Sequence, residues 1–160
     1  MSVSRVRTVE DVLADAKRCA RDYYELTGRP LGVTGEVAEY EAHRLLGAKL
    51  LPPREPGADA PLILAGRSLR VQIKARCVIG SMRPGAPIGS VRGRNGYDAV
   101  VLVLLDRHFE TTEIWCATRA MVLKALDVPG SRARNERRTL SISKFKQIGR
   151  RIWPSGKTRN

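Results

Sequence analysis

One acid at a turn, a glutamine and a lysine one residue apart on a strand, and one acid on a helix form the set with the clearest chemistry in this chain. They are Asp59, after Pro56-Gly57-Ala58; Gln72 and Lys74, in Val71-Gln72-Ile73-Lys74; and Glu36, after Gly35. Carboxylate and amide oxygens are the hard donors that Mg²⁺ takes, and a bound Mg²⁺ makes its water easier to deprotonate. Asp59, Gln72 and Glu36 are therefore candidate metal donors, and the backbone carbonyl of Ile73 adds one more oxygen. Lys74 supplies positive charge where an attacked phosphate gains negative charge. Asp59, Gln72, Lys74 and Glu36 together make a candidate catalytic set for metal-dependent phosphodiester hydrolysis, with Mg²⁺ or Mn²⁺ as the cofactor. Each residue alone has an ordinary reading: a turn acid, a sheet polar residue, an edge cation, an acid at a helix start. Their occurrence in order is what gives them weight.

The elements that must position this set follow from periodicity. Leu69–Ile79 alternates, with Val71, Ile73, Ala75 and Cys77 on one side and Arg70, Gln72, Lys74 and Arg76 on the other, as in a half-buried strand. Ala60–Leu64 reads as its hairpin partner across Ala65-Gly66-Arg67, which sets Asp59 beside the polar face of the long strand. Ala48–Leu51 is expected as a further short strand. A helix after Thr34-Gly35 carries Ala38, Ala42, Leu45 and Leu46 on its apolar stripe, while Glu36, Glu39 and His43 share another edge.

Around this centre, Thr8 and Asp11 form a capping box for a helix running to Gly28, with Val12, Leu13, Ala16, Ala20, Tyr23 and Leu26 as its packing stripe. Gly80–Gly96 reads as a loop, Val100–Leu105 as a strand covered on both faces, and Glu113–Ala117 as its neighbour. Thr118 caps the next helix, Ser131–Arg138 reads as a basic loop, and Ser143 is expected to cap a last helix with Lys144, Lys146, Arg150 and Arg151 outward. The expected fold is α/β: a central mixed, twisted sheet of about five strands flanked by helices. It is read as one domain over 1–153, with 1–30 a helical extension and 154–160 a frayed basic tail.

Charge points to the partner. The chain has 160 residues and a net charge of +13. No acid lies between Asp59 and Asp98, a stretch with seven Lys or Arg residues, and ten more follow from Arg132 against Glu136 alone. Two basic blocks suggest a polyanion footprint, with Arg76, Arg92, Arg94, Lys144, Lys146 and Arg150 as the phosphate contacts. Cys19, Cys77 and Cys116 lie far apart in apolar settings and read as buried thiols. With no long apolar run and no signal-peptide core, the expectation is a cytoplasmic protein that meets no membrane.

Gly35-Glu36, Pro56-Gly57-Ala58-Asp59 and Val71-Gln72-Ile73-Lys74 together resemble the restriction-endonuclease-like, or PD-(D/E)xK, nuclease superfamily in a Gln-x-Lys variant. The run from Gly32 to about Trp153 resembles an uncharacterised bacterial domain family with this core. The resemblance implies a restriction-endonuclease-like core and an active site of Glu36, Asp59 and Lys74. Gln72 stands where the motif has its second acid. It also implies nuclease activity on nucleic acid, DNA rather than RNA, and allows a homodimer. Two other readings stand beside it: a nuclease-like module that binds nucleic acid without cutting, and a basic protein that docks on an acidic one.

Overall fold

Ala65 and Gly66 reverse the chain in two residues with φ of 49° and 76°, the left-handed pair whose twist suits a two-residue hairpin. This turn joins β1 (Ala60–Leu64) to β2 (Arg67–Cys77) in register from Ala60↔Val71 to Leu64↔Arg67. The computed structural model describes residues 6–52, 56–80, 85–91, 96–129 and 137–155, which form an α/β fold on one five-stranded, curled mixed sheet. β3 (Ala99–Leu105) pairs parallel to β2, and β4 (Thr111–Thr118) and β5 (Arg150–Trp153) follow antiparallel, so the strand order is β1-β2-β3-β4-β5. Every residue of β3 is buried, which accounts for its unbroken apolar sequence.

Helices cover both faces. On one, α1 (Val9–Thr27) and α2 (Thr34–Leu46) lie over Val71, Ile73, Val101 and Val103, with Val37, Ala38 and Ala42 of α2 fully buried. On the other, α3 (Arg119–Asp127) and α4 (Ile142–Ile148) bury Val122, Ala125 and Phe145 against Val100, Leu102 and Leu104. Local signals set the helix ends. Thr8 and Asp11 exchange hydrogen bonds of 2.9 and 3.2 Å in a capping box, and the Thr118 hydroxyl accepts the Met121 N–H at 3.4 Å. Among the described residues no helix is long and apolar enough to cross a membrane.

Several expectations need correction. Residues 48–51 form no strand, although Lys49 and Leu51 donate backbone hydrogen bonds to Pro61 (3.1 Å) and Asp59 (2.9 Å) along the outer edge of β1. The cap of α4 is Ser141 rather than Ser143: its Oγ accepts the Lys144 N–H at 3.1 Å. Arg150 and Arg151 lie on β5, because pairing with Trp115 and Cys116 of β4 overrides their continuity with the helix. The α1 stripe is largely exposed, with Ala20 its only buried residue in α1. Cys19 is exposed, and Cys77 and Cys116 are half-buried. The basic loop expected at Ser131–Arg138 lies outside the described residues except for Arg137 and Arg138.

Candidate functional site

The antiparallel pairing of β1 with β2 ends at Ala60↔Val71, and the chain then turns away through Gly57, whose φ is 86°. The backbone N–H of Asp59 still donates to Val71 O at 2.8 Å. Beyond that point a side chain takes over from the missing strand: Asp59 Oδ2 accepts the Ile73 N–H at 2.6 Å. The carboxylate is thus fixed against the backbone between Gln72 and Lys74, the two residues chosen from the sequence. In a strand the N–H and C=O of one residue point to the same side, so the Ile73 carbonyl also faces the place where β1 has ended. The Ile73 side chain turns the other way, into the core under α2.

Gln72 and Lys74 share the face of β2 opposite that core. Gln72 is 4% exposed, and its Nε2 donates to Gly57 O at 3.0 Å, tying the strand to the loop that carries Asp59. That loop is clamped from behind by Gly96, where a Cβ would stand 3.1 Å from Gly57 Cα. A side chain here would press on the Gly57 backbone, and the φ of 94° at Gly96 is one that glycine adopts without strain. Lys74 is half-buried two residues further on.

α2 adds acids from the side. Glu36 is exposed in its first turn, while Glu39, one turn later, is half-buried. Burial raises the Glu39 carboxyl above the usual carboxylate range, the negative charges of Asp59 and Glu36 raise it further, and Lys74 opposes them. Asp59, Glu36 and Lys74 thus all lie close enough to act on the Glu39 carboxyl. Sequence reasoning placed Glu39 on the same helix edge as Glu36 but gave it no role; the spacing of three residues was the available signal. His43, on that edge too, holds the turn after α2 through a 2.8 Å contact from Nδ1 to Ala48 O.

Among the described residues, no three His, Cys, Asp or Glu side chains gather closely enough to hold a metal ion. The donor chemistry nonetheless suits a hard divalent cation, since the carboxylates of Asp59 and Glu39, the Gln72 amide and the Ile73 carbonyl are all oxygen donors. The like charges crowded around Glu39 are also what such a cation would relieve.

The expected phosphate contacts are placed more variously. Arg76 braces the loop after β2, donating to Pro87 O at 2.5 Å and Ala75 O at 3.0 Å. Lys146 pairs with Glu113 and lies 5.3 Å over the Trp115 ring. Burial raises the Glu113 carboxyl, but the hydrogen bonds from Lys146 and Trp115 outweigh it and hold the group below the usual range. Lys144 is half-buried on α4, and Arg150 is exposed on β5 beside Cys116. The Cys116 thiol is pushed up to about 11 by burial, against the charge of Arg150. Arg92 and Arg94 lie outside the described residues. Register aligns Lys74 with Leu102 and Leu102 with Trp115. Lys74 and α4 thus stand over the same sheet face, about 10 Å apart across two strand spacings.

No protein-family model matches the chain, and a search of the curated proteins returns no match.

Proposed function

We propose that the chain is a Mg²⁺- or Mn²⁺-dependent nuclease of the restriction-endonuclease-like, PD-(D/E)xK type, acting on DNA. The observation that carries this reading is the Asp59 carboxylate bonded to the Ile73 N–H between Gln72 and Lys74, with Glu39 within the electrostatic reach of Asp59 and Lys74. Asp59 and Glu39 would hold the cation, with Gln72, the Ile73 carbonyl and Glu36 as further donors at its edge. When bound, the cation supplies a polarised water and a Lewis acid for the scissile phosphate. Lys74 orients the attacking water and offsets the charge that accumulates on phosphorus. The hydrogen bonds from Ile73 to Asp59 and from Gln72 to Gly57 hold these groups in place before substrate arrives, so little reorganisation is needed during the reaction.

The test is cleavage by the purified chain of duplex, branched and single-stranded DNA and of RNA, with Mg²⁺, with Mn²⁺ and with chelator. Metal-dependent cutting of a DNA substrate is expected. Binding without cutting under every metal would favour the second reading, a nuclease-like module that only binds nucleic acid. Gln72 is the feature that favours that alternative, since one carboxylate fewer weakens Mg²⁺ affinity.

The footprint has its own expected outcome. Lys144→Gln with Arg150→Gln should flatten the slope of log affinity against log salt on duplex DNA by about two units. Lys146→Gln, whose ammonium already pairs with Glu113, should change it by well under about one unit. An equal effect from Lys146 would mean that the Glu113 pair opens to nucleic acid.

A further inference from the structure

The β1–β2 hairpin extends past the sheet that carries it. β3 pairs with β2 only from Val71 to Cys77, so the first residues of β2 have β1 alone as their partner strand. Residues 62–69 therefore form a two-stranded ribbon, in register at Leu62↔Leu69, Ile63↔Ser68 and Leu64↔Arg67 and closed by the Ala65-Gly66 turn. Its two faces differ. Leu62, Leu64 and Leu69 pack into the apolar core on the α2 side. By alternation Pro61, Ile63, Ser68 and Arg70 turn to the other face, the one that Gln72 and Lys74 share. α3 and α4 pack on β3 and leave this end of that face open. Ile63 is 71% exposed, and Ser68 and Arg70 are exposed with it.

The charges here have one sign. Arg70 lies on the open face, Arg67 at the turn, and Lys49 beside Pro61, whose carbonyl accepts the Lys49 N–H at 3.1 Å. All three are exposed, and among the described residues none is held in an ion pair. The Arg70 guanidinium touches the Pro56 carbonyl at 3.4 Å. Asp98 is the acid at the base of the ribbon, where its carboxylate accepts the Arg70 N–H at 2.8 Å. The ribbon itself contains no acid, and it stands on a molecule of net charge +13. Cations around one exposed isoleucine suit a polyanion that also offers apolar contacts. Duplex DNA does: its major groove admits a two-stranded ribbon, presents thymine methyl groups, and is rimmed by phosphates. The deep, narrow major groove of duplex RNA does not admit one. The ribbon also keeps step with DNA, because a strand rises about 3.3 Å per residue and a DNA strand about 3.4 Å per phosphate. Arg70 stands about 13 Å from Lys74 along β2 and Ser68 about 20 Å, or about four and six base steps.

We infer that the β1–β2 hairpin is an arm for duplex DNA: Ile63 and Ser68 enter the major groove to one side of Lys74, and Lys49, Arg67 and Arg70 hold the phosphates at its rims. The inference rests on the nuclease reading only for where the cut falls relative to the arm. The test is binding of the full chain to a labelled duplex of about two turns, read by fluorescence anisotropy in chelator, so that no cutting is required. Lys49→Gln with Arg67→Gln and Arg70→Gln should weaken binding about tenfold or more and flatten the slope of log affinity against log salt by about two to three units. Ile63→Asp should weaken it about tenfold or more, whereas Ile63→Lys, at the same exposed position, should bind at least as tightly as the parent. That difference in sign separates a contact with DNA from a fault in folding. Parental affinity and slope in the triple variant would overturn the inference, as would equal losses from the two Ile63 variants. Tighter binding to single-stranded DNA or duplex RNA, or no binding to duplex DNA, would overturn it too. A chain that loses affinity through these variants yet cuts with no metal keeps the arm and loses the nuclease reading. One that cuts duplex DNA while the variants bind it unchanged loses the arm alone.

Discussion

Lys74→Ala is expected to lower metal-dependent cleavage by about 10²–10³-fold, the scale of removing one group that stabilises transition-state charge. Folding and most of the DNA affinity should survive, because Lys74 is half-buried and phosphate contacts elsewhere position the substrate. Lys74→Arg keeps the charge but changes its shape and reach, and should recover only part of the activity. Single-turnover cleavage with saturating enzyme separates this chemical effect from binding. Asp59→Ala should be as inactive, with an added cost to the fold. Asp59 Oδ2 accepts the Ile73 N–H at 2.6 Å, and leaving that buried donor unpaired costs about 1–3 kcal/mol. Asp59→Asn keeps an oxygen for the N–H while removing the charge, so it should stay folded and still fail to cut.

The largest expected effect on stability lies away from the site. Glu41 is 1% exposed, and its carboxylate gathers Arg44 (2.7 Å), Thr111 (2.9 Å) and Lys17 (3.3 Å), fastening α2 to α1 and to the start of β4. Glu41→Ala leaves the half-buried Lys17 and the Thr111 hydroxyl without that partner, and should cost about 3 kcal/mol in urea unfolding. The same group predicts a pH dependence. Burial raises the Glu41 carboxyl, but the hydrogen bonds from Arg44 and Thr111 and the charge of Lys17 more than offset it, so its folded-state pKa lies below the ordinary 4.5. The stability it contributes is full above the unfolded value and fades as the pH falls through the lower folded value. The Glu41→Ala variant should lack that part of the acid-side loss. A variant as acid-sensitive as the parent would remove Glu41 from the account.

What was legible in the sequence was local. Alternation marked β2, an apolar run marked β3, and the hydroxyls of Thr8 and Thr118 marked helix starts; the α/β class followed from these, while the expected count of about five strands included residues 48–51, which form none, and missed β5. What was hidden depends on contacts distant in sequence. Arg150–Trp153 is a strand only because β4 offers it an edge. Lys146 reads as a free surface cation until Glu113 and Trp115 of β4 stand beneath it. The 3.6-residue period of α1 shows that a stripe exists, but not that the helix docks by a neighbouring line and leaves it in water. At the site, the order of Asp59, Gln72 and Lys74 was visible. The place of Glu39 beside them was not, because it depends on how α2 lies across β2 and β3.

The most direct test of the central claim is anomalous diffraction from crystals soaked in Mn²⁺, which locates the ion independently of any activity. The account predicts one strong peak within coordination distance of Asp59 and Glu39, on the side of β2 where the Ile73 carbonyl emerges, and its loss in Asp59→Asn. A strong Mn²⁺ peak elsewhere, with none at Asp59, would contradict it.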